Sequence, residues 1–213
     1  MKRLDDVAKR AVDVAVAGTT LALLALPLGV IGLVIKLDSK GPVFYRGVRV
    51  GRGGRPFRLF KFRSMVAAPG GPSSTSENDP RITRVGRVLR KYKLDELPQF
   101  INVLSGDMSL VGPRPEVQQF VDMYTDEEHQ ILTVRPGITD WSSIKFHNEG
   151  ELIAASGIAD ADEAYAKLIR PEKLRLQLRY VRERSIFVDF RILLTTVATL
   201  TKTRLPLIPT AID

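Results

Sequence analysis

Residues Val14–Ile35 form 22 consecutive positions without a charged side chain. A helix of that length reaches across a bilayer's hydrocarbon core, so the segment is expected to enter a membrane. A cleaved signal peptide fits less well. Asp13 interrupts the basic start, the apolar run is too long, and no small-residue cleavage site follows. A spanning helix should carry excess Lys and Arg on one flank only. Here Lys2, Arg3, Lys9 and Arg10 precede the run, while Lys36, Lys40, Arg46, Arg49, Arg52 and Arg55 follow it. Both flanks therefore ask for the same side. Pro27, near the midpoint, removes a backbone bond and can bend the helix. The two observations fit a re-entrant helix–break–helix over 1–38 that dips into one leaflet and returns. A single kinked span is the alternative that stays open.

The remaining residues, 39–213, suffice for one domain with a real core. A formal charge of +8 calls for anionic partners: phosphate groups, anionic lipid or nucleic acid. With no cysteine, disulfides and thiolate chemistry are excluded. His129 and His147 stand in no metal-ligand spacing, and no P-loop or Ser-His-Asp pattern occurs. From Gly41 to Ser76 there is no acidic residue. VFYRGVRV and RPFRLFKFRS alternate as strands do and flank the turn Gly51–Gly54, which predicts a β-hairpin. Phe60 and Phe62 would share one face, with Leu59, Lys61 and Arg63 on the other. Basic residues interleaved with aromatics are compatible with single-stranded nucleic acid. So close to the apolar segment, an apron for anionic headgroups and a phosphorylated substrate is the better reading. PGGPSSTSENDP, residues 69–80, reads as a polar loop, either a mobile lid or an idle linker.

The densest chemistry lies in RKYKLDELPQFINVLSGDMSLVGPRPE, from Arg90 to Glu116. Leu97, Phe100, Ile101 and Leu104 recur at helical spacing and Gly106 ends the run, so a helix is predicted over about 96–105 with Asp95 at or beside its N-cap. A carboxylate there stays ionised in the field of the helix end, next to amides and arginines suited to phosphate. That arrangement points to a nucleophile or a metal ligand, although capping alone also explains an Asp-Glu pair. Gly112-Pro113-Arg114-Pro115 fixes the chain on both sides of one arginine. Further on, short helices are predicted at Glu116–Tyr124 and from Thr125. Pro136-Gly137 reads as a turn, Trp141 as core or interface anchor, and Glu151–Ala166 as weakly helical. Leu174–Tyr180 alternates like a strand, but Pro171 at a helix start and the shared face of Leu174, Leu178 and Val181 favour a helix. Ser185–Lys202 is apolar, too short to span, and suits a helix in the core or at a membrane interface.

KLDELPQFINVLSGDMSLVGPRP, with KFRSM and DPRITRVGRVLRKY before it and RPGIT after it, resembles the bacterial sugar transferases of the monotopic phosphoglycosyl transferase superfamily. KRAVDVAVAGTTLALLALPLGVIGLVIKLDSKGPVFYR resembles that family's membrane segment, with Leu26 where some relatives have a small polar residue before the proline. Similarity runs from about Lys9 to Leu200. The resemblance implies transfer of a sugar 1-phosphate from a nucleoside diphosphate sugar to polyprenol phosphate, releasing a nucleoside monophosphate. It maps the family's acidic dyad onto Asp95, the nucleophile that forms an aspartyl-phosphosugar, and Glu96, which holds Mg²⁺. Lys61, Arg63, Arg90 and Arg114 are the implied phosphate contacts. The implied architecture is α+β and mainly helical: a membrane segment at 1–38, then a catalytic domain at 39–213 with a small hairpin and amphipathic interfacial helices. The resemblance implies a place on the cytoplasmic face of a bacterial inner membrane. The implied partners are the nucleotide sugar, polyprenol phosphate and membrane lipid, without nucleic acid, and with a homodimer left open. The rivals are a non-catalytic basic membrane adaptor, a membrane-tethered nucleic-acid binder, or a phosphohydrolase with water as acceptor.

Overall fold

The computed structural model describes residues 2–66 and 73–201. Helix α1 (Lys2–Asp38) carries Pro27 inside it, and the helix continues on both sides of that residue. The proline withholds one amide from the ladder without unwinding its neighbours. One stripe of α1 lies against the rest of the protein. Before the proline, Lys9 Nζ donates to Val111 O at 3.0 Å and pairs with Asp189, Arg10 reaches Val103 O, and the buried Asp13 accepts from Leu110 N at 3.0 Å. After it, Leu28, Ile31 and Ile35 pack with Phe62 and Leu89, and Asp38 accepts from Val85 N. The opposite stripe, with Leu23, Leu26, Val30, Leu33 and Leu37, is exposed. An apolar face this large without a partner among the described residues is what a bilayer would cover.

Strands β1 (Phe44–Val50) and β2 (Pro56–Phe62) pair antiparallel, Phe44 opposite Phe62 and Val50 opposite Pro56, around the predicted turn. Phe44 stacks on Phe62 and Arg46 sits 4.4 Å from the centroid of the Phe60 ring. The outer edge of β2 is covered by Asn102, whose Oδ1 accepts from Phe60 N and whose Nδ2 donates to Arg58 O. That satisfies backbone groups an open edge would leave to another chain. Helix α2 (Arg84–Lys91) starts on Thr83, whose hydroxyl accepts from Gly86 N.

The helix predicted over 96–105 is shorter than expected. Leu94–Glu96 form a single 3₁₀ turn, and α3 (Gln99–Ser105) begins only after Pro98, which occupies the N-cap. Asp95 is therefore not an N-cap residue. The proline has no amide to join a preceding turn, so the α-helical ladder starts beyond it. Gly106 ends α3 at φ 89° as predicted.

Two segments of three residues that showed no strand signal, β3 (Ser109–Val111) and β4 (Gly137–Thr139), pair in parallel and enter the central core. Pro136-Gly137 is thus the start of a strand rather than a simple turn. Helix α4 is confined to Gln118–Val121, and the helix expected from Thr125 is a 3₁₀ segment, Glu128–Thr133, with Thr125 and Glu128 capping each other. Helices α5 (Trp141–Lys145), α6 (Glu149–Ala155) and α7 (Ala161–Leu168) follow. Helix α8 (Arg170–Glu183) confirms the helical reading around Pro171, and α9 (Ile186–Thr201) the one after Ser185. Leu59, Val103, Met108, Trp141, Tyr180 and Ile192 meet in the main core, so Trp141 is a core residue. Outward from it, α9 exposes Phe187, Phe190, Val197 and Leu200. Of the predicted loop at 69–80, residues 69–72 lie outside those described. Ser73 and Ser74 amides donate to Asp162, and Glu77 N to Gly150 O, which fastens this part of the loop to α6 and α7.

Candidate active site

Three separate pieces of chain converge on Glu96. Strand alternation turns Lys61 away from the Phe60–Phe62 face, and its Nζ donates to Glu96 Oε1 at 2.8 Å. Arg114 follows β3. Its Nη1 donates to Glu96 Oε2 at 2.9 Å and its Nη2 to Glu96 Oε1, a bidentate clamp. Burial opposes ionisation of Glu96, but the Arg114 guanidinium and the Lys61 ammonium outweigh it and hold its pKa well below 4.5. Burial also works against the charge of Arg114. Glu96 foremost, with Glu149 and Asp140, overrides it and raises the Arg114 pKa.

Arg114 is seated by backbone. Gly112 N donates to Thr139 O and Gly137 N to Pro113 O, so the β3–β4 pair delivers the arginine at its C-terminal end. Arg114 Nη1 reaches Ile138 O, and Gln177 Nε2 donates to Arg114 O, both at 3.4 Å. Two residues on, Glu116 is buried with Lys173, 3.0 Å away, and both meet the Tyr165 hydroxyl. Burial disfavours the Lys173 ammonium, but Glu116 and Tyr165 more than compensate and raise its pKa well above 10.5. Sequence reasoning missed this network, because the spacing of Glu116, Tyr165 and Lys173 carries no local signal. Removing one member of such a buried pair typically costs about 3–5 kcal/mol, so it anchors the segment bearing Arg114.

Asp95 sits beside the clamp, 4% exposed, and its Oδ1 has no hydrogen-bond partner among the described residues. Glu116 Oε2 is likewise unpartnered, but Lys173 and Tyr165 hold its other oxygen, whereas no hydrogen bond among the described residues holds the Asp95 carboxylate. Arg90, on α2, places its guanidinium 3.8 Å from the Met65 sulfur. The hydrogen bonds of Arg63 go elsewhere, to Ile35 O and to Ser39 at the end of α1. There it satisfies carbonyls that a helix terminus leaves open.

A divalent cation fits this donor set. Mg²⁺ takes hard oxygens, keeps several waters, and needs only one or two carboxylates when phosphates supply the rest. Glu96 Oε2 accepts a single hydrogen bond, which leaves it a further acceptor position. Among the described residues no cluster of three or more acidic, His or Cys side chains could hold a metal without substrate.

The sequence model of one protein family, bacterial sugar transferase, matches residues 4–203. The chain belongs to this family. It is 40% identical over 194 residues to the UDP-glucose:undecaprenyl-phosphate glucose-1-phosphate transferase of Escherichia coli, covering 89% of this chain and 39% of the relative. It is 38% identical over 197 residues to the UDP-N-acetylgalactosamine-undecaprenyl-phosphate N-acetylgalactosaminephosphotransferase of Aeromonas hydrophila, covering 90% and 43%. A third relative, the UDP-glucose:undecaprenyl-phosphate glucose-1-phosphate transferase of Caulobacter vibrioides, is 37% identical over 203 residues, covering 93% and 71%. The chain thus spans about two-fifths of the length of the first two relatives. The aligned part of each sugar transferase takes in the stretch from Lys61 to Arg114.

Proposed function

We propose that the chain transfers a sugar 1-phosphate from a nucleoside diphosphate sugar to polyprenol phosphate, releasing a nucleoside monophosphate. One observation carries this reading: a buried carboxylate oxygen without a partner, on Asp95, next to a carboxylate clamped by Arg114 and Lys61. An Asp95 oxygen attacks the sugar-bearing phosphorus. A P–O bond to Asp95 forms while the P–O bond to the nucleoside monophosphate breaks, and the bonding pair leaves with that product. A phosphate oxygen of the polyprenol then attacks the same phosphorus and releases Asp95 as carboxylate. Arg114 and Lys61 hold Glu96 ionised and in place, and they supply positive charge to the transferring group. Bound through Glu96, Mg²⁺ would neutralise charge on the diphosphate. Arg90 stands at the edge as a further phosphate contact. The position of Arg63 favours a role in fixing α1.

The acceptor is a lipid, and α1 supports a membrane setting. It is the one described helix long and apolar enough to cross a bilayer, and its outer face has no protein partner among the described residues. Residues on either side of Pro27 are bonded to the same body, which supports a re-entrant placement with the catalytic domain on the cytoplasmic side. Because the chain has no native cysteine, single cysteines at Val7 and Lys40 test this directly. Both are expected to react with an impermeant thiol reagent from the same face of sealed vesicles. Labelling from opposite faces would establish a span. Two of the hairpin's aromatics are withdrawn from base stacking, Phe62 by burial and Phe60 by Arg46, while Phe44 and Tyr45 are exposed.

Nucleoside monophosphate release over a panel of nucleotide sugars, with polyprenol phosphate in detergent, tests the reaction. Release with one or a few donors is expected, and it should require the lipid acceptor beyond the first turnover. Silence with every donor would return the basic-adaptor reading. Steady release of free sugar phosphate without lipid would make the chain a phosphohydrolase.

A further inference from the structure

The cations read from the sequence are largely occupied. Lys61 and Arg114 are engaged with Glu96, Arg63 Nη2 with the end of α1 while its Nε and Nη1 have no partner among the described residues, and Arg90 lies against the Met65 sulfur. A further cation, engaged with no carboxylate, would add to the positive charge that Lys61 and Arg114 give a phosphoryl group on Asp95. Lys93 stands two residues before Asp95, is exposed, and has no hydrogen-bond or ion-pair partner among the described residues.

Its backbone is unusual. At φ 56° and ψ 21° it is the only non-glycine residue with positive φ among those described. It follows α2, where helices commonly end on a left-handed glycine that carries no steric penalty. A lysine here stores strain that glycine would remove, and such strain clusters at binding and catalytic sites. The turn it starts is the one bearing the acidic pair, with Glu96 N donating to Lys93 O at 3.3 Å. A general reason for a lysine at a helix end is attraction to the terminal carbonyls. Its ammonium makes no such bond. The charges facing it are Glu96 and Asp95 from the 3₁₀ turn, Arg114 from the segment after β3, and Lys61 from β2.

We propose that Lys93 is a substrate-contacting residue, its ammonium binding the non-bridging oxygens of the phosphoryl group as it passes onto and off Asp95. The inference rests on the sugar-phosphate transfer reading above, and its test separates the two. Lys93→Gly keeps the left-handed backbone without strain while deleting the ammonium; Lys93→Arg keeps a cation. In the donor assay, Lys93→Gly is expected to melt at or above the wild-type temperature yet lose about 10²-fold in kcat, the scale of deleting one preorganised donor to a transition-state oxygen. Lys93→Arg is expected to recover activity to within about ten-fold of wild type. Formation of the covalent adduct without acceptor should slow in parallel in Lys93→Gly. Wild-type turnover in Lys93→Gly would overturn the proposal and leave the reaction standing, as would Lys93→Arg failing equally. A Lys93→Gly chain melting well below wild type would make the residue structural and end the proposal. If the wild-type chain releases nothing with any donor, the reaction falls and this role with it.

Discussion

Asp95→Asn is expected to abolish nucleoside monophosphate release, by about 10⁴-fold or more, while leaving the fold intact. The magnitude follows from the step assigned to it: removing a covalent nucleophile leaves only positioning and charge stabilisation. The substitution is nearly isosteric and touches no described hydrogen bond through Oδ1, so the Leu94–Glu96 turn and the clamp on Glu96 should survive. Affinity for the donor should hold or rise, because a carboxylate facing a diphosphate is replaced by a neutral amide. Intact-protein mass after incubation with donor and Mg²⁺, without lipid, should show the sugar-phosphate adduct in the wild type and none in Asp95→Asn. A variant that turns over normally would remove Asp95 from the reaction. A competent wild type that never carries the added mass would replace the two-step route with direct transfer.

Legibility of the fold followed the range of the interaction. The hairpin was readable because its turn glycines and alternating strands are adjacent in sequence. The stop at Gly106 and the helix after Pro171 were readable for the same reason: backbone freedom at glycine and the fixed φ of proline are local. The acidic pair and Arg114 stood out by charge and punctuation, yet nothing local showed that Glu96, not Asp95, receives both cations. The start of α3 was misplaced because apolar spacing continues through Pro98 while the hydrogen-bond ladder does not. The parallel pairing of β3 with β4 had no signature, since three-residue strands cannot display a period and their partnership is long-range. Nothing local showed that Arg63 bonds to the end of α1. A buried arginine serving helix carbonyls has the same sequence appearance as one awaiting phosphate. Lys93 was visible only as one more cation; its left-handed backbone is a property of the folded chain.

The second large effect concerns stability, and it falls on Gly137. A Cβ there would lie 2.1 Å from Gly112 N, 2.4 Å from Gly112 O and 2.7 Å from Gly112 Cα. All three are backbone atoms, so no side chain can rotate aside. The approach is reciprocal, since a Cβ on Gly112 would lie 2.4 Å from Arg135 O. What looked in sequence like punctuation around an arginine is thus also a packing requirement of the two crossing segments. Gly137→Ala should force β4 off β3 and strain the bonds from Ser109 N to Pro136 O and from Gly112 N to Thr139 O. A destabilisation of about 3 kcal/mol or more is expected, the upper end for overpacking because backbone must move. In a chain of this size that lowers the melting temperature in detergent by roughly 6–12 °C. The folded fraction should also lose activity, because the displaced segment carries Ile138 O and the Gly137 amide, whose bonds to Arg114 and to Pro113 seat the arginine. Gly18→Ala is the control. A Cβ there meets nothing within 4 Å, and alanine in a helix should be neutral or stabilising by about 0.5–1 kcal/mol. If Gly137→Ala melts with the wild type and keeps its turnover, the β3–β4 crossing is not what holds Arg114 over Glu96.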